Sequence, residues 1–196
     1  MGASSLAQVF TTPPIKVEGS PEALESYLLS FDFDKDAPKI YAITDQYKQS
    51  AMEFMTPPGS DDPKLEEFKK AGGKMIIYHG NSDPAFSVND TTDWYRKLDE
   101  NNNGLAEDFV KLYRVPGLQH GAGGIVTDNF DFLSALTDWV ERGESPGAIT
   151  ASIKRDNVEA KEALGNITRK LCPYPEVAIY TGGEPSAEKS FACKNK

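Results

Sequence analysis

The chain has 196 residues, with 39% apolar and 26% charged side chains and a formal net charge of −9. That length supports one domain with a core of its own. An acidic balance without a basic stripe speaks against nucleic acid as a partner, and no apolar run approaches the roughly 18 residues of a membrane span.

The opening residues Met1-Gly2-Ala3-Ser4-Ser5 lack the charged and apolar regions of a signal peptide. Leu6 stands where a myristoylation signal requires Ser or Thr. Residues 1–38 mix short apolar patches with Pro13-Pro14 and the acidic stretch Asp32–Asp36, and no strand is predicted there. Residues 39–56 carry Ile40, Ile43, Tyr47, Ala51, Phe54 and Met55 at a loose helical spacing, which Pro57-Pro58-Gly59 ends.

Asp62-Pro63 reads as an N-cap with Pro in the first turn. Leu65 and Phe68 supply the apolar face of that helix, and Gly72-Gly73 stops it. Met75-Ile76-Ile77-Tyr78 is a continuous apolar run suited to a buried parallel strand. Residues 90–98 read as a helix with Trp94 and Leu98 on one face, and Phe109–Val115 as a second strand broken by Pro116-Gly117. Asp128 is the expected N-cap of a helix whose stripe is Phe132, Leu133, Leu136, Trp139 and Val140, with Gly143 at its end. The alternation of helix and strand implies a parallel sheet covered by helices. From about residue 145 the composition turns to charged and turn-forming residues.

Two strand ends present chemistry. The first is Tyr78-His79-Gly80-Asn81-Ser82-Asp83-Pro84, and 37 residues after Asp83 comes His120 within Val115-Pro116-Gly117-Leu118-Gln119-His120-Gly121. Open α/β sheets build their sites at the C-terminal edge of the strands. A carboxylate there can orient a histidine, and an exposed imidazole can act as a general base. Asp83 also suits an ordinary Asx turn, and His120 a surface loop. His79, at the first strand's end, reads as structural support.

A nucleophile is missing from this pattern. Gly143-Glu144-Ser145-Pro146-Gly147 matches Gly-x-Ser-x-Gly literally. It follows a helix, comes after the histidine, and puts Pro146 where an oxyanion-binding N–H is required. Ser82 shares the turn of Asp83, and Ser4 and Ser5 lack a preceding strand. Asp99-Glu100-Asn101-Asn102-Asn103-Gly104 matches the first half of a calcium loop, but Val110 occupies the twelfth position. An Asn-rich connection between helix and strand accounts for that run as well, and neither a metal nor a cofactor is expected. Cys172 and Cys193 are the only cysteines. They read as a staple for a turn-rich tail or as two unpaired thiols.

Taken together, these segments resemble the tannase and feruloyl esterase family of α/β-hydrolases. The resemblance is carried by Asp62-Pro63-Lys64-Leu65 with Phe68, Gly72-Gly73-Lys74, the Tyr78–Pro84 turn, and Val115-Pro116-Gly117 with His120. It continues through Gly123-Gly124, Asp138–Gly143, Leu171-Cys172-Pro173-Tyr174-Pro175 and Phe191-Ala192-Cys193. It implies an α/β fold that is the C-terminal part of an α/β-hydrolase. Asp83 would be the triad acid, His120 the base, and Cys172 and Cys193 a disulfide. The chain departs from the family at Gly121, where members usually carry a Cys bonded to one beside the nucleophilic serine.

The family's serine segment, oxyanion loop and lid would lie upstream. Residues 1–38 then correspond to the end of a lid-like region, 39–150 to the core carrying acid and base, and 151–196 to the disulfide-bearing tail. The implied activity is hydrolysis of carboxylic esters of aromatic acids such as gallate or hydroxycinnamate, in a secreted or periplasmic parent enzyme. The partners expected are a small-molecule ester and either a second copy or the missing N-terminal portion. The competing expectation is a catalytically incomplete module that binds a partner or itself.

Overall fold

Helix caps decide where the first elements begin. The structure, a computed structural model, describes residues 2–195. Helix α1 is Gly2–Gln8, and α2 is Pro21–Ser30, whose N-cap Ser20 accepts from the Ala23 N–H. Helix α3 is Phe33–Asp36, capped by Asp32. Of the helix expected over 39–56, only α4, Ala51–Met55, forms. The reason is a capping box: Ser50 accepts from the Glu53 N–H at 3.1 Å, and Glu53 accepts from the Ser50 N–H at 2.8 Å. Upstream, Thr44 and Tyr47 bond across a turn instead. The chain divides into two compact units between Asp62 and Pro63; of the segments read from sequence, 1–38 falls in the first unit, 151–196 in the second, and 39–150 runs through the boundary.

The second unit opens with α5, Glu66–Lys70. Asp62 does not cap it. The carbonyls of Pro63 and Lys64 accept from the side chains of Asn101 and Asn102, and Leu65 takes a left-handed conformation at φ 52° before the helix starts. Its end is as expected: the Gly73 N–H returns to Phe68 O and the Gly72 N–H to Lys69 O, a Schellman pattern. Strand β1 is Met75–Gly80, α6 is Val88–Asn101 and β2 is Val110–Val115. The two strands pair in parallel, with Met75 opposite Val110 and Gly80 opposite Val115.

Both faces of this pair are covered, which is why its strands read as continuous apolar runs. Val110 and Leu112, with Met75 and Ile77, pack against Tyr95 and Leu98 of α6. Tyr113 and Val115, with Ile76, pack against Phe132 on the other face. The Tyr113 hydroxyl, carried into that core, donates to Gly147 O at 2.7 Å. Asp99 and Asn102 pin the connection between α6 and β2. Asp99 accepts from the Ala106 N–H, and Asn102 bonds Lys69, Lys64 O and Leu98 O.

Helix α7 is Phe132–Arg142, and its N-cap is Asp131, which accepts from the Ser134 N–H. Asp128, the expected cap, is buried and accepts from the Lys154 N–H at 2.8 Å and from Asn157. Asn129 bridges Ser152 by two backbone bonds, so the chain stays extended past residue 128 and the helix starts three residues later. Phe132 and Trp139 are buried as expected, whereas Leu133 and Val140 are exposed.

The tail has more regular structure than its composition suggests. It holds β3, Ile149–Ser152; α8, Val158–Leu164; β4, Thr168–Leu171; β5, Val177–Tyr180; and β6, Phe191–Lys194. β3 pairs with β4 and β5 with β6, both antiparallel. Ala151 and Leu171 enter the same core as Tyr113. Cys172 and Cys193 form a disulfide, with Cα atoms 5.6 Å apart. The tail also covers the outer edge of β2, where the Tyr174 N–H donates to Leu112 O.

Three stability outcomes follow from the packing and the disulfide. Leu98 is 0% exposed, and Leu98→Ala is expected to cost about 2–5 kcal/mol in urea unfolding. Leu133→Ala, at a side chain 75% exposed, should stay within about 0.5 kcal/mol of the parent. Non-reducing peptide mapping should recover Cys172 joined to Cys193. Because the bond closes a separation of 21 residues, its loss in a Cys172→Ser, Cys193→Ser variant is expected to cost about 3 kcal/mol.

Candidate active site

Parallel pairing brings the ends of β1 and β2 to the same sheet edge, and the loops beyond them are laced together. The Asn81 N–H donates to Val115 O at 2.9 Å and the Ser82 N–H to Leu118 O at 3.0 Å. Gly80 makes that approach possible. A Cβ there would meet the carbonyl oxygens of Leu118 and Gln119.

Asp83 sits on the first of these loops with its side chain 4% exposed. Its two oxygens have separate tasks. Oδ1 accepts from the backbone N–H groups of Ala85 at 2.8 Å and Phe86 at 3.1 Å. Oδ2 lies 2.9 Å from Nδ1 of His120 and 3.3 Å from Nε2 of His79. The Asx-turn reading and the acid–histidine reading are therefore both realised, on different oxygens of one carboxylate. Burial pushes the Asp83 carboxyl up. The His120 hydrogen bond, the Ala85 and Phe86 N–H groups and the His120 charge outweigh it and hold the carboxyl down at about 2. It is ionised at neutral pH and can only accept, so His120 carries its proton on Nδ1.

The His120 side chain is 50% exposed, and its Nε2 has no hydrogen-bond partner among the described residues. The ring leans on Phe86 at 5.3 Å between centroids. Tyr78, His79, Asp83, Phe86, Leu118 and His120 line an open cleft of about 480 Å³. His79 lies at the strand's end as expected, with Nδ1 2.8 Å from Thr91 Oγ1 and Nε2 3.2 Å from Phe86 O. Thr91 and Phe86 carried no sequence signal of their own. One is a helical threonine twelve residues past its partner, and the other is a loop aromatic.

The arrangement can hold a histidine in one tautomer with its outer nitrogen ready to take a proton. It brings no nucleophile to that nitrogen among the described residues. Ser87 and Thr91 also line the cleft, but Ser87 accepts from the Asn89 N–H as the cap of α6 and Thr91 is engaged by His79. Ser145 follows α7 and Gly143, and the Pro146 carbonyl beside it accepts from Tyr113. Ser82 is exposed on the Asp83 turn, and Ser4 lies within α1. No group of three or more His, Cys, Asp or Glu side chains among the described residues could hold a metal ion.

The family model described as tannase and feruloyl esterase matches residues 9–194. A mono(2-hydroxyethyl) terephthalate hydrolase from Piscinibacter sakaiensis is 42% identical over 185 residues, which is 94% of this chain and 29% of that protein. A probable feruloyl esterase from Arthroderma benhamiae is 31% identical over 163 residues, 81% of this chain and 28% of that protein. The chain thus spans less than a third of the length of the curated relatives it matches. Among solved structures, an esterase from Aspergillus oryzae superposes with a TM-score of 0.58 at 22% identity, over 90% of this chain and 34% of that one. Feruloyl esterase B from Aspergillus oryzae gives 0.55 at 25% identity, over 68% and 29%. The paired strands, their covering helices and these likenesses make the fold a partial α/β-hydrolase, and the chain belongs to the tannase and feruloyl esterase family.

Proposed function

We propose that this chain supplies the acid and the base of a serine carboxylic ester hydrolase acting on esters of aromatic acids. The observation that carries the reading is the 2.9 Å bond between Asp83 Oδ2 and His120 Nδ1 with Nε2 left open to the cleft. In this reaction a serine Oγ attacks the ester carbonyl while His120 Nε2 takes the hydroxyl proton. Asp83 stabilises the imidazolium. The imidazolium returns the proton to the departing alcohol, and water then cleaves the acyl-enzyme with His120 again as the base. Aromatic acyl groups are supported by the names of the relatives, a terephthalate monoester hydrolase and a feruloyl esterase. The Cys172–Cys193 disulfide supports an oxidising compartment, secreted or periplasmic, for the parent enzyme.

A second reading is a catalytically incomplete module that associates with itself or a partner. It is favoured by the side of β1 away from β2, which has no strand partner among the described residues, and by exposed Tyr78, Leu133 and Val140.

The two readings separate in a complementation assay. The chain alone should hydrolyse p-nitrophenyl esters no faster than its His120→Ala variant. Co-expressed with the nucleophile-bearing portion of the Piscinibacter sakaiensis hydrolase, it should turn over an aromatic ester. Asp83→Asn should then lower kcat by about 10⁴-fold, because the imidazole loses its tautomer. Turnover indifferent to His120→Ala would overturn the hydrolytic reading. Inert mixtures from a chain that sediments as a dimer would favour the second.

The Asp83 carboxyl also predicts a pH dependence of stability. Its folded pKa, about 2, lies below the roughly 3.9 of an unfolded Asp. The stabilisation is therefore complete above about pH 4 and is lost as pH falls towards 2. Urea midpoints of the parent and Asp83→Asn should differ most at neutral pH and converge through that window.

A further inference from the structure

Two imidazoles approach the Asp83 carboxylate, and the reaction above uses the one that is hydrogen-bonded to it. The neighbours of the second dictate its protonation. His79 Nε2 faces the Phe86 carbonyl at 3.2 Å and Asp83 Oδ2 at 3.3 Å, and both are acceptors only. That nitrogen must carry a proton. Nδ1 lies 2.8 Å from the Thr91 hydroxyl, which can donate to it. A neutral His79 therefore satisfies every contact around its ring as the Nε2–H tautomer. His120, on the same carboxylate oxygen, is required to be the opposite tautomer, with its proton on Nδ1.

The two rings also differ in rigidity. His79 is a strand residue with its side chain 13% exposed, anchored at its far side by a residue of α6. His120 is half exposed on a loop that Gly117 and Gly121 flank at positive φ. The Asx-turn bonds fix Oδ1 of Asp83, but the plane of the carboxylate also depends on what Oδ2 meets. The other charged groups around His79 are Asp90, which lines the same cleft from α6, and Arg114, its register partner on β2.

We infer that His79 is a positioning residue: its Nε2–H, tied back through Nδ1 to Thr91, sets the plane of the Asp83 carboxylate and so holds His120 as the Nδ1–H tautomer with Nε2 free. This inference rests on the reading of Asp83 and His120 as acid and base, but its test requires no hydrolysis. The chain contains only two histidines, so their ring nitrogens can be assigned without ambiguity in long-range ¹H–¹⁵N spectra of the labelled protein.

Above the titration of both rings, His79 should be protonated on Nε2 and His120 on Nδ1. His79→Leu should abolish the fixed Nδ1–H form of His120, with loss of its low-field proton resonance and a shift to the Nε2–H form that an unanchored imidazole prefers. His79→Gln should preserve the Nδ1–H form of His120 and its low-field proton, because the introduced amide N–H can stand in for Nε2–H. Thr91→Val should leave His79 as a mixture of tautomers. The inference is overturned if His79 in the parent protein carries its proton on Nδ1. It is equally overturned if His120 is unchanged in a His79→Leu variant with parental circular dichroism. Should His79→Leu fail to fold, the parent spectrum and Thr91→Val decide the matter. Opposite tautomers in a dimeric chain inert in the complementation assay would favour the second reading over the hydrolytic one and leave the positioning role standing. Turnover with His79 in the wrong tautomer would do the reverse.

Discussion

The carbonyl oxygens of Leu118 and Gln119 lie where a side chain on Gly80 would have to go, and the site depends on that close approach. β1 and β2 deliver their ends to one edge because they are parallel and in register, Gly80 beside Val115. Parallel pairing alone leaves two loops free to diverge. What joins them is a pair of backbone bonds, from Asn81 to Val115 and from Ser82 to Leu118, and neither loop could close over the other if residue 80 had a Cβ. A separation of 2.9 Å between Asp83 and His120 tolerates little error, since a hydrogen bond weakens steeply with stretching and tilt. The smallest side chain in the neighbourhood therefore governs the alignment of the two that carry the chemistry.

Asp83 shows how one carboxylate serves folding and chemistry together. Taking its side chain out of water disfavours the charge. Two backbone N–H groups on one oxygen and the His120 ring on the other more than offset that cost. The backbone donors come from the turn that the aspartate itself nucleates, so Oδ1 is fixed by partners two and three residues away. The histidines come from a strand and from a distant loop. The acid is thus organised locally and used globally, and its depressed pKa records both contributions.

The tail is bound into this architecture. Leu171 and Ala151 enter the core beneath Tyr113, and Tyr174 bonds the outer edge of β2. The disulfide at Cys172 lies between those anchors and β6. It therefore ties the edge of the strand that leads to His120 to the last element of the chain. An unsupported outer edge would fray from its ends, and the His120 loop begins at one of them.

Local chemistry made much of this readable in the sequence. The apolar runs at 75–78 and 109–115, the glycine stops at Gly72 and Gly143, and the acid and histidine placed after successive strands all follow from short-range pattern. So does the prospect of linking Cys172 to Cys193. Two of the misreadings share one physical cause: backbone groups that found partners far away in sequence. Asp62 does not cap α5 because Asn101 and Asn102 hold the carbonyls of Pro63 and Lys64. Asp128 yields to Asp131 because Asn129 is bridged to Ser152. The tail strands, four residues each, carry too little periodicity to announce themselves and exist because they pair. By itself the sequence determined which residue types stand at the ends of which strands. Only the tertiary structure decided that both imidazoles meet one carboxylate oxygen, because that meeting requires the register of β1 on β2, the missing Cβ of Gly80, and a threonine on the helix that connects the two strands and covers one of their faces.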